Sequence, residues 1–155
     1  MSKSFKYWFE NGSWDADGSD RLLHWRYGNW RDDLFYELSP GDMCFRWNKW
    51  LKQLVGCSTI QSSAIADFGE VWDNQPPGDR WVVPLHNTVK FKSPVPLAIM
   101  REHERRIFDA CDRFDYRPFT PYKGQRLRPA QRYLSKVSPA LAELFIEIAE
   151  VSEYK

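Results

Sequence analysis

The sequence predicts an α+β domain in which about five to six mostly antiparallel strands form a small β-barrel flanked by helices. Two observations predict this class. Short apolar runs separated by turn residues follow one another through the middle of the chain, which is typical of antiparallel strands. Apolar residues at helical spacing occur near the start of the chain and again at its end. The 155 residues suit a single domain, residues 1–155, large enough to bury a core.

The first part of the chain predicts one strand and one helix. Phe5 to Phe9 is a short strand-type run, and the polar stretch after it, which holds Trp14, predicts a loop. Asn29 to Leu38 fits a helix, because apolar residues at positions 30, 34 and 38 repeat with the helical period. Pro40-Gly41-Asp42 ends this helix and predicts a turn.

Two strands are predicted directly after that turn. They span Met43 to Trp47 and Gln53 to Ile60. Gly56 inside the second strand indicates a bulge or a close approach of another backbone. A strand could continue towards Val71, with no signal for where it ends.

The next segment predicts a loop and further strand pieces. Residues 73–80 are rich in proline and glycine and predict the loop. Trp81 to Leu85 and Val89 to Phe91 are strand-type runs, and Pro84 indicates a sheet edge or a break. Pro94 to Cys111 begins extended and becomes helical.

The last part of the chain predicts a loop and two helices. Residues 117–128 form an irregular basic loop, and residues 128–134 fit one short helix. Ser138 caps the final helix, residues 138–150, and Pro139 occupies its first turn. The residues expected on its buried face are Leu141, Leu144, Phe145 and Ile148.

Composition argues against several classes of protein. With 43% hydrophobic and 28% charged residues, the chain is not of the disordered type. Its apolar runs are shorter than the roughly 20 residues needed to span a bilayer, and Met1 to Lys6 lacks the pattern of a signal peptide. The cysteines, Cys44, Cys57 and Cys111, are odd in number and widely spaced. We therefore expect no disulfide framework and a reducing, cytoplasmic location.

Positive charge is concentrated in two segments, although the net charge is only +1. Residues 117–136 carry six basic side chains and no acidic ones. Residues 43–66 carry three basic side chains and again no acidic ones. These segments predict either a local face for an anionic ligand or a set of solvated loops.

Four pieces of the sequence, in order and spacing, resemble the EVE domains of the PUA-like superfamily. They are the Gly-Asp turn and apolar strand of residues 40–47, the apolar-Gly strand of residues 54–60, the Trp-led strand Trp81 to Leu85, and the Pro-Val-Pro-Leu segment ending at Leu97. The resemblance covers about residues 5–135, and the chain departs from the pattern in residues 67–80 and in its last helix. It implies a PUA-like barrel, related to YTH and ASCH domains, with an aromatic pocket beside a basic face. Relatives in this superfamily hold modified bases of RNA or DNA.

An unstacked base needs flat walls and a few hydrogen-bond partners. Trp14, Trp30 and Trp47 are the candidate walls, with core packing as the alternative for each. Asn48 and Asp17 could contact the edge of the base, or could simply be turn residues. The candidates for phosphate contacts, each of which could instead be an ordinary surface charge, are Lys49, Lys52, Lys123, Arg126, Arg128 and Arg132.

The sequence lacks the usual motifs of catalysis. His24, His86 and His103 share no metal-binding spacing, and neither a Cys-x-x-Cys pair nor a nucleophile or phosphate-loop motif is present. We therefore predict a non-catalytic module without cofactor or metal that holds a methylated or hydroxymethylated base of DNA or RNA. It would act as the reader of a modification-dependent defence system, with a separate nuclease or effector protein as partner. The alternatives are a protein-interaction or RNA-processing module, and a small-molecule enzyme or nuclease.

Overall fold

The computed structural model describes residues 5–12, 20–26, 33–71, 75–111, 117–122 and 126–152. Trp14, Asp17, Trp30 and Lys123, which the sequence nominates for the site, lie outside these ranges. So do residues 29–32 of the predicted first helix. The remainder of that helix, Asp33–Glu37, is a 3₁₀ helix.

The described residues also form nine strands and three α-helices. The strands are β1 Tyr7–Gly12, β2 Arg21–Trp25, β3 Met43–Asn48, β4 Gln53–Ile60, β5 Ile65–Gly69, β6 Gly78–Pro96, β7 Phe119–Tyr122, β8 Arg126–Pro129 and β9 Leu134–Val137. The helices are α1 Leu97–Glu102, α2 Glu104–Cys111 and α3 Pro139–Ser152. The strands predicted over residues 43–47 and 53–60 are confirmed.

The main sheet has the strand order β2-β6-β4-β3-β1-β9, and β5 also pairs with β6. Its pairings are antiparallel except for that of β1 with β3, which is parallel. The sheet curls into a half-barrel with the three helices beside it. The predicted α+β class, with a small, mostly antiparallel curled sheet flanked by helices, is therefore confirmed.

Strand β6 is one strand of 19 residues, not two short pieces with a break at Pro84. Pro84 pairs with Arg21 of β2, while the next residue, Leu85, pairs with Ile60 of β4. The proline lacks an N–H group, but its carbonyl still accepts the N–H of Gln61 at 2.9 Å. The proline therefore marks the point where β6 changes partners, and the strand continues through it.

The structure confirms both interpretations of Gly56 in β4. In the pairing of β4 with β3, Leu54 lies opposite Trp47 and Gly56 lies opposite Arg46, so β4 carries one extra residue, Val55, which is a bulge. A Cβ atom at Gly56 would lie 2.2 Å from the carbonyl oxygen of Val89, so the two backbones approach too closely for any side chain.

Two apolar cores form on the two sides of the sheet, because successive strand residues point to opposite faces. Phe9 and Phe45 face the helices, where they pack with Ile107, Phe119 and Phe145. Trp8 and Cys44, one residue earlier in each strand, face the inside of the curl. There they pack in a second core with Leu22, Phe35, Ile60, Trp81 and Leu134, among others.

The segment after α2 differs from the prediction. Residues 117–128 were expected to form a loop, but this segment contributes β7 and most of β8, which pair as antiparallel strands. Residues 128–134 were expected to be helical, but Pro129 belongs to β8 and Leu134 begins β9. The side chains of Phe119 and Leu127 are fully buried, so tertiary burial stabilises these strands although the local strand signal is weak.

The final helix is confirmed. Leu141 donates its backbone N–H to the hydroxyl of Ser138 at 3.1 Å, and Pro139 is the first helical residue. The predicted apolar face is buried. Within the described ranges, no helix is both long and apolar enough to cross a bilayer.

Candidate functional site

A buried ion pair lies near the carboxyl ends of the two parallel strands. Glu10 of β1 and Arg46 of β3 are direct neighbours in the register, and Arg46 Nε donates to Glu10 Oε1. Both residues are almost fully buried, at 4% and 0% exposure. They alternate with Phe9 and Phe45, so they point into the curl of the sheet. A charged pair in this setting must be closely matched, because neither ion is solvated by bulk water.

Polar contacts extend the pair across the sheet. Arg46 Nη1 donates to Ser58 Oγ of β4 at 3.2 Å, and this hydroxyl lies 2.7 Å from Thr88 Oγ1 of β6. On the other side, the Tyr133 hydroxyl donates to Glu10 Oε2 at 2.6 Å and accepts the backbone N–H of Leu23 at 3.1 Å. The network thus links β1, β2, β3, β4, β6 and the residue preceding β9.

Gly12 is part of this arrangement because it has no side chain. A Cβ atom at Gly12 would lie 2.8 Å from Glu10 Oε2, on the same side of β1. The missing side chain leaves room for the carboxylate between Arg46 and Tyr133.

The surroundings of Arg46 and Tyr133 shift the pKa values of both side chains. Burial favours the neutral form of Arg46, but the adjacent Glu10 carboxylate favours the charged form and raises the pKa of Arg46 above its usual value. Burial, and then the charge of Glu10, raise the pKa of Tyr133 well above its usual range. Tyr133 therefore stays protonated and remains a hydrogen-bond donor at neutral and moderately alkaline pH.

Four rings, His24, Phe35, Trp81 and Tyr133, form an aromatic group beside this network. The His24 ring lies 5.3 Å from that of Tyr133 and 5.7 Å from that of Phe35. The Phe35 ring is nearly parallel to those of Trp81 and Tyr133, at centroid distances of 6.4 and 6.3 Å. The Arg26 guanidinium lies 5.8 Å from the Trp81 ring centroid. His24, Arg26 and Tyr133 are only half-buried, so solvent reaches this group.

The sequence analysis did not identify the Glu10–Arg46 pair, although the sequence contains a signal for it. Glu10 follows two apolar residues in β1, and Arg46 lies in the apolar run from Met43 to Trp47. A charge in each of two strands of the same sheet indicates a buried pair once the strands are placed side by side.

The structure places Trp47 in the core on the helix side of the sheet. Its ring is 1% exposed and packs at 6.0 Å from the Phe9 ring and 5.6 Å from the Phe119 ring. This burial does not fit the predicted role of a pocket wall, since no face of the indole is open to a base. Core packing, the alternative role, describes Trp47 in this structure.

Asn48 is also placed by local structure. Its side chain is buried, and its Oδ1 accepts the backbone N–H groups of Trp50 at 2.9 Å and Leu51 at 3.0 Å. This is the turn role that was the alternative to contacting a base edge. The carbonyl oxygen of the Asn48 side chain is therefore engaged in shaping the β3–β4 turn.

The predicted phosphate-contacting residues are spread over two regions. Lys49 and Lys52 are exposed in the β3–β4 turn, whereas Arg128 in β8 and Arg132 before β9 are half-buried. Arg126 contributes its backbone to β8, and Lys123 lies outside the described ranges.

Hydrogen bonds connect both regions to the end of β1. Lys49 donates its N–H to the Gly12 carbonyl at 2.8 Å. Asn11 Nδ2 donates to the Ala130 carbonyl at 3.2 Å, and Arg132 donates its N–H to the same carbonyl at 2.9 Å. Trp14 follows Gly12 by two positions in the sequence, and Trp30 follows Arg26 by four.

Comparison with known proteins finds similarity in structure, not in sequence. No family model matches the chain, and the comparison with curated proteins finds no match. A solved protein of Rhodopseudomonas palustris is 17% identical, with a TM-score of 0.58 and 94% of each chain covered. A Pseudomonas putida protein is 12% identical, with a TM-score of 0.56 over 92% of this chain and 99% of its own.

A further similar structure is that of the human THYN1 protein in complex with DNA containing 5-methylcytosine. It is 10% identical, with a TM-score of 0.57, and the match covers 94% of this chain and 98% of the human one. At identities this low, the structural similarity shows a shared fold and nothing more. The coverage shows that the shared fold extends over nearly the whole chain. The protein therefore shares its α+β fold with these solved proteins, among them human THYN1.

Proposed function

We propose that the protein is a non-catalytic nucleic-acid-binding module that holds a methylated or hydroxymethylated base. The observation that carries the proposal is the likeness of fold to human THYN1, solved with DNA containing 5-methylcytosine, over nearly the full length of both chains. The charged network and aromatic group on the inside of the curl supply chemistry that suits a base.

The base-holding site in this proposal lies at the carboxyl end of β1, next to the aromatic group. His24 and Tyr133 supply half-buried rings there, and aromatic stacking contributes about 1–3 kcal/mol per base. Trp14 and Trp30 are proposed as further walls and Asp17 as a partner for the base edge. Their segments join the described structure at Gly12, next to the Glu10 carboxylate, and at Arg26, whose guanidinium lies over the Trp81 ring.

The buried ion pair gives the site rigidity. Glu10 is held by Arg46 and by Tyr133, so the Tyr133 ring is fixed both by its hydroxyl and by its contacts with His24 and Phe35. A preorganised wall loses little entropy when the ligand binds.

The proposed phosphate contacts come from the two basic segments of the sequence. They are Lys49 and Lys52 in the β3–β4 turn, and Lys123, Arg126, Arg128 and Arg132 in residues 117–136.

Recognition of one methyl group contributes modestly. Burying a methyl group is worth on the order of 1 kcal/mol, so apolar contact alone gives a preference of roughly tenfold over the unmodified base. Most of the affinity then comes from stacking and phosphate contacts, and it falls as salt rises.

The test is a binding titration with short DNA and RNA oligonucleotides, each bare or carrying methylated or hydroxymethylated bases, at two salt concentrations. We expect one modification to bind about tenfold more tightly than its bare counterpart, and both affinities to fall with salt. Absence of binding to every oligonucleotide at low salt would overturn the proposal. Cleavage of any of them by the pure protein would overturn its non-catalytic part.

The site is tested separately with Trp14→Ala and Trp30→Ala. Each variant should remove the preference for the modified base while the protein keeps its melting temperature. Phe68→Ala is the matched control, because Phe68 is a strongly exposed aromatic residue on β5. If both tryptophan variants bound like wild type, the base would have to lie elsewhere on the protein.

A separate nuclease or effector protein belongs to the same proposal, because a non-catalytic reader needs another protein to act on the marked nucleic acid. Affinity capture with the intact protein, with and without the preferred oligonucleotide, should recover such a partner. If no nuclease or other effector is recovered under either condition, this part of the proposal fails.

A further inference from the structure

The turn between β3 and β4, Lys49–Lys52, places a large aromatic residue in solvent. Trp50 is 72% exposed and Leu51 is 65% exposed. The two side chains are adjacent and have a lysine on either side in the sequence, and apolar surface rimmed by polar residues is typical of an interaction site.

The turn is held in a defined shape. Asn48 Oδ1 accepts two N–H groups from the turn, one each from Trp50 and Leu51. At one end of the turn, Lys49 donates its backbone N–H to the Gly12 carbonyl. At the other end, the Lys52 carbonyl accepts the backbone N–H of Leu97 at 2.9 Å. The turn is thus fixed to β1 on one side and to α1 on the other, and it presents Trp50 at a set position.

The charge of the turn indicates what it contacts. Lys49 and Lys52 flank the two apolar residues, and the Lys49 ammonium lies 4.9 Å from the Trp50 ring centroid. The nearest acidic residues in sequence are Asp42 and Asp67, so residues 43–66 carry positive charge only. An aromatic ring between two lysines suits a nucleotide, since the ring stacks on the base and the ammonium groups meet the phosphates.

We propose that the Lys49–Lys52 turn is a second nucleic-acid contact, at which Trp50 stacks on an unpaired base next to the one held in the site. The inference rests on the proposed function for the presence of the strand. It adds a contact that is insensitive to modification, because every base has a face on which an indole can stack. The hydrogen bond from the Lys49 N–H to the Gly12 carbonyl places this contact beside the carboxyl end of β1.

The first test is Trp50→Ala in the intact protein, titrated with single-stranded oligonucleotides with and without the preferred modification. We expect about a tenfold loss of affinity for both, so that the ratio between them is unchanged. Trp50→Phe should recover part of the affinity, and Phe68→Ala should bind like wild type. Because Trp50 is exposed, the variant should fold, and its melting temperature verifies this.

The second test uses the lysines. Lys49→Gln together with Lys52→Gln should reduce the slope of log affinity against log salt by about 1.4 for single strands, if each lysine contacts one phosphate. Irradiation of an oligonucleotide containing 5-iodouracil should crosslink it to Trp50, as read by mass spectrometry of the digested protein.

The outcomes separate the two proposals. If wild type binds and Trp50→Ala binds equally well, the second contact is wrong while the base site stands. If Trp50→Ala loses only the preference for the modified base, the indole belongs to the base site, and the second contact is again wrong. If wild type binds no oligonucleotide but binds vesicles of anionic phospholipid through Trp50, both proposals fail.

Discussion

At the scale of single residues, Tyr133 connects the most parts of the candidate site. Its hydroxyl donates to Glu10 and accepts from Leu23, while its ring meets His24 and Phe35. Removing this one oxygen leaves a buried carboxylate with one donor fewer and a backbone N–H without its acceptor. Both losses act on the folded state only, so they reduce stability directly.

Tyr133→Phe should therefore lower the free energy of unfolding by about 1–3 kcal/mol in urea titrations at neutral pH. The same variant should show a weaker loss of stability in alkali. In the wild type the folded protein keeps the Tyr133 proton above the usual tyrosine pKa of about 10, whereas the unfolded chain releases it, so stability falls as pH rises. Tyr36→Phe, at an exposed position, is the control; equal alkaline slopes in wild type and Tyr133→Phe would contradict the prediction.

Lys52 adopts a backbone conformation that suits glycine better than lysine. Its φ of 54° lies in the left-handed region, which costs a non-glycine residue about 1 kcal/mol. Lys52→Gly should raise the free energy of unfolding by up to about 1 kcal/mol, while weakening nucleic-acid binding through the lost charge. Lys49→Gly should remove a charge without the gain in stability. Chemical denaturation and binding titrations of both variants check this, and a destabilised Lys52→Gly would refute it.

At the scale of elements, the sheet depends on close backbone packing where β4 meets β6. Gly56→Ala should destabilise the protein by more than about 2 kcal/mol, because its Cβ would meet a backbone oxygen that cannot move without separating the strands. Gly78→Ala is the matched control in β6, since its nearest neighbour is a ring atom of Trp25 at 3.2 Å, which can shift. Equal effects in thermal melts would show that the close approach is not limiting.

Elements with strong local signals were predictable, and those made by distant contacts were not. The serine cap, the following proline and the apolar period define α3 without reference to the rest of the chain. The β7–β8 hairpin contains prolines and charges, and it exists because Phe119 and Leu127 enter a core built by other elements. The Glu10–Arg46 pair was missed for the same reason, because it depends on β1 lying parallel to β3. For Trp47 the sequence leaves both a pocket wall and core packing open, because strand periodicity alone does not say which face of the sheet is open.

At the scale of the whole molecule, β1 and β3 contribute to both cores. Phe9 and Phe45 enter the core beside the helices, and Trp8 and Cys44 enter the core inside the curl. Neither core can unfold without disturbing β1 and β3, and these two strands also carry side chains of the other core. We therefore expect the two cores to unfold together.

Thiol labelling tests this expectation, because Cys44 and Cys111 lie one in each core. Burial raises the pKa of the Cys111 thiol to about 11 and the pKa of the Cys44 thiol further, so both remain unreactive in the folded protein at neutral pH. In partial denaturant, labelling of both thiols should proceed at the same rate in a Cys57→Ala background, as read by mass spectrometry. Markedly faster labelling of one thiol would show that its core opens independently.

The pairing of β9 with β1 also determines when the sheet can be completed. It joins Tyr7 to Val137, so the first strand meets a partner that is synthesised long after it. Contacts between residues so distant in sequence make folding slow, since a long stretch of chain must be ordered before they form. On the ribosome, β1 can pair with β3 early, but its other edge stays open until β9 has emerged. Until then, that edge is a place where the nascent chain can pair with other chains.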